Sequence, residues 1–145
     1  MATRTATTNW SGDLQSGTGT VELTSSKIGT YQVSWPKRTA DEADGSTSPE
    51  ELIAAAHSSC FAMAFSGELA KAGATNTRLT ITADATLGPD PAGGSRIRSV
   101  KLTVNGTADG IDEATFRKAA DAAKTGCPVS KALTGTDILL EATFG

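Results

Sequence analysis

The order of elements legible in this chain predicts an α+β fold rather than a regular βα alternation. Three observations carry that prediction. The first 35 residues alternate polar and apolar positions between glycines, one long alanine-rich helix follows, and two further alternating stretches lead into two helices and a closing strand. At 145 residues the chain, 1–145, has the length of a single domain, and it can bury roughly 68% of its unfolded surface without a disulfide.

The N-terminal segments TVELTS (20–25) and TYQVSW (30–35), punctuated by Gly12, Gly17, Gly19 and Gly29, predict an antiparallel meander of three strands. Pro36 is expected to end the third strand. The polar, acidic run KRTADEADGSTS (37–48) has no periodicity and predicts an exposed loop. Ser48, Pro49 and Glu51 then form a helix start, with Ser48 as N-cap, Pro49 at the first helical position and Glu50 adding charge that suits the dipole. The helix is expected to run to Lys71 or Ala72 and stop at Gly73. Its middle, Leu52 to Phe65, is apolar nearly all round, the pattern of a helix buried on most sides.

RLTITADATL (78–87) and VKLTVNG (100–106) alternate as strands with one wet face, joined through the Gly- and Pro-rich hairpin loop GPDPAGGSR (88–96). A second helix starts at Asp112 as N-cap, carries Phe116, Ala119, Ala120 and Ala123 at helical spacing, and ends at Gly126. Cys127, directly before Pro128, stands at the head of a third helix, Pro128 to Leu133. DILLEATF (137–144) closes the chain as a strand.

Composition narrows the function classes. With 13 basic against 16 acidic residues and a net charge of -3, there is no basic face with which to neutralise phosphates, so nucleic acid is not expected as a partner. The start MATRTATTN lacks an apolar leader core, and no run approaches the roughly 18 apolar residues of a membrane span, which points away from membranes and to the cytoplasm. Two cysteines and one histidine, without C-x-x-C or H-x-x-x-H spacing, do not make a zinc site.

In a reducing compartment the two cysteines are catalytic, redox-active or inert rather than a structural staple. Their local settings differ. Cys127 sits at a helix N-terminus, where free N–H groups favour a thiolate, whereas Cys60 lies mid-helix and needs a cation from elsewhere to react. Each thiol taken alone has an inert reading as a small core residue. Two thiols that meet in space have a redox reading, in which one is oxidised to a sulfenic acid and the other condenses with it. His57, three residues before Cys60 on the same helix face, is a candidate base, with packing or capping of an interface as the alternative.

Trp10-Ser11-Gly12, Gly17-Thr18-Gly19-Thr20, Ser48-Pro49-Glu50-Glu51-Leu52 leading into Ala55-Ala56-His57-Ser58-Ser59-Cys60-Phe61, and Gly126-Cys127-Pro128-Val129-Ser130 together resemble the OsmC/Ohr family of thiol peroxidases. The resemblance covers nearly the whole chain in order. It implies antiparallel sheets packed around a long buried central helix in an intertwined homodimer. It also implies Cys60 as peroxidatic cysteine, Cys127 as resolving cysteine, a glutamate matching Glu50, and an arginine that holds the thiolate. The Ohr branch takes that arginine from the segment before the second strand, where SGDLQSGTGT has no basic residue; the OsmC branch takes it from just after the third strand, where Arg38 stands beside Lys37. The OsmC branch is the better match.

Helix geometry adds a constraint. Glu50 and Cys60 are ten positions apart, about 15 Å of rise, so one straight helix cannot bring them together. A two-fold homodimer with antiparallel central helices, each placing its first turn beside the other's Cys60, is the expectation; the alternative is that Glu50 serves only the helix dipole. The implied activity is reduction of organic hydroperoxides and of hydrogen peroxide, with a dithiol, lipoyl-type or another small one, as reductant and no metal, flavin or haem. Phe61, Phe65, Met63 and Leu52 either line an apolar approach for the substrate or form core. Two rival readings are a dimer that binds a lipid or other small molecule, with incidental thiols, and a Cys60/His57 acyl-transfer enzyme.

Overall fold

The computed structural model describes residues 1–145, which divide into two compact units, Met1–Leu52 and Ile53–Gly145. In the first, β1 (Thr7–Ser11), β2 (Thr18–Glu22) and β3 (Thr30–Val33) form the expected antiparallel meander in the order β1-β2-β3. Trp10 pairs with Gly19 across the β1–β2 ladder, and a Cβ at Gly19 would sit 2.9 Å from the indole Cε3. Glycine is therefore required there for the ring to lie across the strand.

The loop expected over 37–48 is shorter than predicted. Its first residues belong to a five-residue helix, α1 (Trp35–Thr39). Ser34 caps that helix by accepting from the Lys37 N–H at 3.4 Å, and Pro36, whose ring fixes φ near the helical value, sits in its first turn. Pro36 thus ends β3 by starting a helix. The Ser48 hydroxyl then accepts from the Glu51 N–H at 3.2 Å to cap α2 (Pro49–Lys71), while the Glu51 carboxylate bonds the Thr47 hydroxyl at 2.7 Å. Gly73, at φ +88°, ends α2 in the left-handed conformation that glycine adopts without strain.

In the second unit, β4 (Thr75–Pro89) and β5 (Ser95–Asp109) form a hairpin of two 15-residue strands whose register sets Ile81 opposite Val104. Both strands outrun their predicted bounds, so the turn shrinks to 90–94, where Asp90 Oδ1 accepts from the Ala92 N–H. The crossover from β5 to β6 (Asp137–Phe144) runs through α3 (Glu113–Gly126) and α4 (Pro128–Ala132). That route makes β6 parallel to β5, with Val100 opposite Ile138, so the sheet β4-β5-β6 is mixed rather than purely antiparallel as expected. The α+β architecture of two sheets and a central helix stands.

The core of this unit stacks Phe61 and Phe65 of α2, Val100, Leu102 and Val104 of β5, and the Phe116 and alanine face of α3. Phe65 meets Phe116 edge-on with ring centroids 4.9 Å apart, and Phe116 meets Phe144 at 4.8 Å. Gly106 makes room for this stack, since a Cβ there would lie 2.9 Å from Phe116 Cζ. Within the single chain α2 buries one stripe, His57, Phe61, Phe65 and Leu69, and leaves Ala55, Ala56, Ser59 and Met63 exposed. It is therefore not buried on most sides, as its composition suggests. Its length and mean hydropathy of 1.2 also meet the measure of a membrane span, correcting the expectation that no segment approaches one. A core helix meets the same measure, and its buried stripe packs as one.

Candidate active site

Two clusters of the expected site residues form, one in each unit. In the first, Arg38 of α1 meets Glu50, in the first turn of α2. The Arg38 Nη2 donates to Oε1 at 2.7 Å and its Nε donates to both carboxylate oxygens at 3.1 Å, while the guanidinium carbon lies 5.7 Å from the centre of the Trp35 ring. Burial is the largest influence on Glu50 and pushes its carboxyl up. The Arg38 hydrogen bonds and charge, backbone N–H and the Ser48 hydroxyl together outweigh it and hold the carboxyl below its ordinary value. Beside the pair lies a cavity of about 150 Å³ lined by Trp10, Leu14, Val33, Trp35 and Pro49, with the Arg38 side chain on its wall. Lys37, the neighbouring cation, turns instead to Asp44 at 2.6 Å.

In the second unit Cys60 of α2 and Cys127, the residue before α4, are both reduced, and they lie near enough for each thiol to shift the other. Cys127 is fully buried and Cys60 partly so. Burial pushes the Cys60 thiol up, the Val129 N–H acts against it, and the bond to Cys127 with the charge there adds to the rise. Cys127 goes the other way: burial opposes ionisation, but the Ser130 N–H, the Cys60 thiol, the Ser130 hydroxyl and the Val129 N–H lower its pKa. The two thiols are thus shifted in opposite directions, Cys60 up and Cys127 down.

His57 lies on the same stripe of α2 but does not serve Cys60 as an evident base. It is fully buried, burial lowers its pKa, and its Nε2 lies 2.7 Å from the Ser130 Oγ. Phe61 and Phe65 belong wholly to the core and Met63 faces outward, so they do not form an apolar approach to the thiols.

The sequence from residue 41 to 141 matches the family model described as OsmC-like protein. The chain belongs to the OsmC family. It is 41% identical over 125 residues to the Peroxiredoxin OsmC of Escherichia coli (strain K12), covering 86% of this chain and 85% of that protein, and equally to the Peroxiredoxin OsmC of Shigella flexneri. Two solved structures share the fold: the organic hydroperoxide resistance protein OhrB of Bacillus subtilis, with a TM-score of 0.71 at 24% identity over 96% of this chain and 98% of that one, and an OsmC-like protein of unknown function from Vibrio cholerae O1 biovar eltor, with a TM-score of 0.78 at 20% identity over 99% and 100%.

Against this OsmC frame, the residue that sequence reasoning missed is Ser130. Its hydroxyl meets His57 across 73 residues of chain. Its place beside Cys127 in Gly126-Cys127-Pro128-Val129-Ser130 was the available signal, although nothing local points to a partner on α2.

Proposed function

We propose that this OsmC chain is a cysteine-based peroxidase that reduces organic hydroperoxides, and hydrogen peroxide, by a two-cysteine cycle reopened by an external dithiol. The observation that carries the reading is the neighbouring pair of Cys60 and Cys127, two free thiols 67 residues apart in sequence that the fold brings near enough to shift each other.

Because burial and Cys127 both push the Cys60 thiol up, a reactive Cys60 needs a cation. The Arg38–Glu50 pair is the fitting source: a guanidinium held in a fork by a carboxylate and beside an apolar cavity suits both a thiolate and the oxygens of an alkyl hydroperoxide. Ten residues of α2 separate Glu50 from Cys60, so the reading places the pair of one copy beside the Cys60 of a second, in a two-fold homodimer. The Cys60 thiolate attacks the O–O bond, an alcohol or water departs, and the sulfur is left as a sulfenic acid. Cys127 then closes a disulfide onto it, releasing water, and a lipoyl-type or other small dithiol reopens that bond. The cycle takes place in the cytoplasm and calls on no metal, flavin or haem.

The test is a pair of substitutions assayed with cumene hydroperoxide. Cys60→Ser abolishes turnover, whereas Cys127→Ser consumes one equivalent of peroxide and stalls. Mild, equal losses in the two variants, or no loss of free thiols from the unaltered chain after one equivalent, would sink the reading.

A further inference from the structure

Trp35 opens α1 and Arg38 stands three residues on, so helical spacing sets the two side chains on one face. The guanidinium carbon lies 5.7 Å from the centre of the indole, within the reach of a cation–π contact. Lys37, one residue nearer, turns to Asp44 instead. The helix that sets this spacing is short but tied at both ends: the Ser34 hydroxyl caps its start, and the Thr39 hydroxyl donates to the Trp35 carbonyl at 3.1 Å. The indole is half-buried and forms part of the wall of the cavity beside Arg38.

The unspent donors of the guanidinium give this contact a purpose. Of the five N–H groups of an arginine, Glu50 takes the one on Nε and one on Nη2. The two on Nη1 and the second on Nη2 bond no group of the chain. Arg38 and Glu50 are both long side chains, and a fork between them fixes each relative to the other rather than the pair relative to the backbone. A ring against the guanidinium supplies that further restraint without using a donor. A hydroxyl or a second carboxylate in its place would take one.

We propose that Trp35 is a positioning residue for peroxide reduction: its ring holds the Arg38 guanidinium so that the three unspent N–H groups are presented to the Cys60 sulfur of a second copy and to the peroxide oxygens. This inference rests on the peroxidase reading and its two-fold homodimer. Trp35 touches no reacting atom and moves no proton; it acts through Arg38. Its effect is therefore common to all peroxides, because the thiolate and the O–O bond are common to all. A side chain that served only as an apolar wall would act on the organic group alone.

The experiment measures the rate of free-thiol loss on mixing with cumene hydroperoxide, and separately with hydrogen peroxide, with no reductant present. In Trp35→Leu both rates fall together by about five- to tenfold, and in a Cys127→Ser background the pH at half-maximal alkylation of Cys60 by iodoacetamide rises. Trp35→Phe, which keeps a ring face, recovers most of both. The comparison is made on variants that sediment as the unaltered chain does, and Trp35→Met, which fills the space without a ring, replaces Trp35→Leu if that variant does not fold. A loss confined to cumene hydroperoxide, an unaltered rate in the ringless variants, or a Trp35→Phe chain no faster than they are overturns the inference and leaves the peroxidase reading standing. No thiol loss from the unaltered chain with either peroxide overturns the peroxidase reading, and the inference with it.

Discussion

The Arg38 guanidinium grips the Glu50 carboxylate with both Nε and Nη2, the shorter contact at 2.7 Å, and 11% of the Glu50 side chain is left exposed. Such a fork fixes the plane of the guanidinium as well as its charge, which a lysine cannot reproduce. Arg38→Lys therefore keeps the charge and loses the orientation. The expected result in steady-state assays with cumene hydroperoxide is a fall in kcat/KM of about 10- to 100-fold, with Glu50→Gln in the same range, since each removes part of one charge-assisted array. A near-normal rate in Arg38→Lys would leave the fork without a catalytic purpose.

The same pair sets an acid dependence of stability. The Glu50 carboxyl is held below its ordinary value of 4.5, so the unfolded chain binds the proton more readily than the folded one. Its contribution is fully present above 4.5 and is lost as pH falls through the depressed folded value. Asp13, Asp44, Asp112 and Glu141 are lowered as well, by hydrogen bonds at the exposed surface. The readout is therefore the difference between the unaltered chain and Arg38→Met in urea unfolding. The variant is expected to be less stable by about 1–3 kcal/mol near neutral pH. That gap narrows below 4.5, where protonation removes the unpaired charge.

Gly106 offers a test of the core. Its missing Cβ makes room for the Phe116 ring, which in turn contacts Phe65 and Phe144. Gly106→Ala places a methyl group 2.6 Å from Leu79 Cδ2 and 2.9 Å from Phe116 Cζ, and overpacking of this kind costs about 1–3 kcal/mol. Phe65→Ala opens a void instead, at about 3–5 kcal/mol. Both appear as lowered urea midpoints with an unchanged slope, and a Gly106→Ala chain as stable as the unaltered one would mean that the aromatic stack relaxes freely.

The parts of the fold that sequence reveals are those whose signals are local. Ser48, Pro49 and Gly73 mark the ends of α2 because capping and positive φ act within a turn. The five-residue α1 was hidden because Pro36 both ends a strand and starts a helix, and only the Ser34 hydroxyl distinguishes the two. Alternation in DILLEATF marks β6 as a strand but carries no partner or direction; its parallel pairing comes from the crossover through α3 and α4. The candidate site divides in the same way. Cys60 and Cys127 stand out by residue type and motif, whereas the His57–Ser130 contact spans 73 residues and leaves no spacing to detect. The different settings of the two thiols, Cys127 at a helix start and Cys60 mid-helix, are local as well, and the opposite directions in which they shift agree with them.

The outward face of α2 supplies the last prediction. Ala55, Ala56, Ser59 and Met63 are exposed along it, and Met63 is 71% exposed on an otherwise apolar helix. Small residues followed by a flexible apolar one suit close packing of a second helix, and the proposed homodimer sets its two copies of α2 together there. The chain is then expected to sediment as a dimer at micromolar concentration. Met63→Glu, which puts a charge into that contact, is expected to weaken association by about 2 kcal/mol or more, roughly thirtyfold in Kd. The dissociated chain keeps the contact between Cys60 and Cys127, because both lie in the Ile53–Gly145 unit, so a thiol oxidant such as diamide still bridges them. Peroxidase turnover is lost with the dimer, since the Cys60 thiol then lacks its cation. A Met63→Glu monomer that reduces cumene hydroperoxide at the full rate would show that one copy holds a complete site.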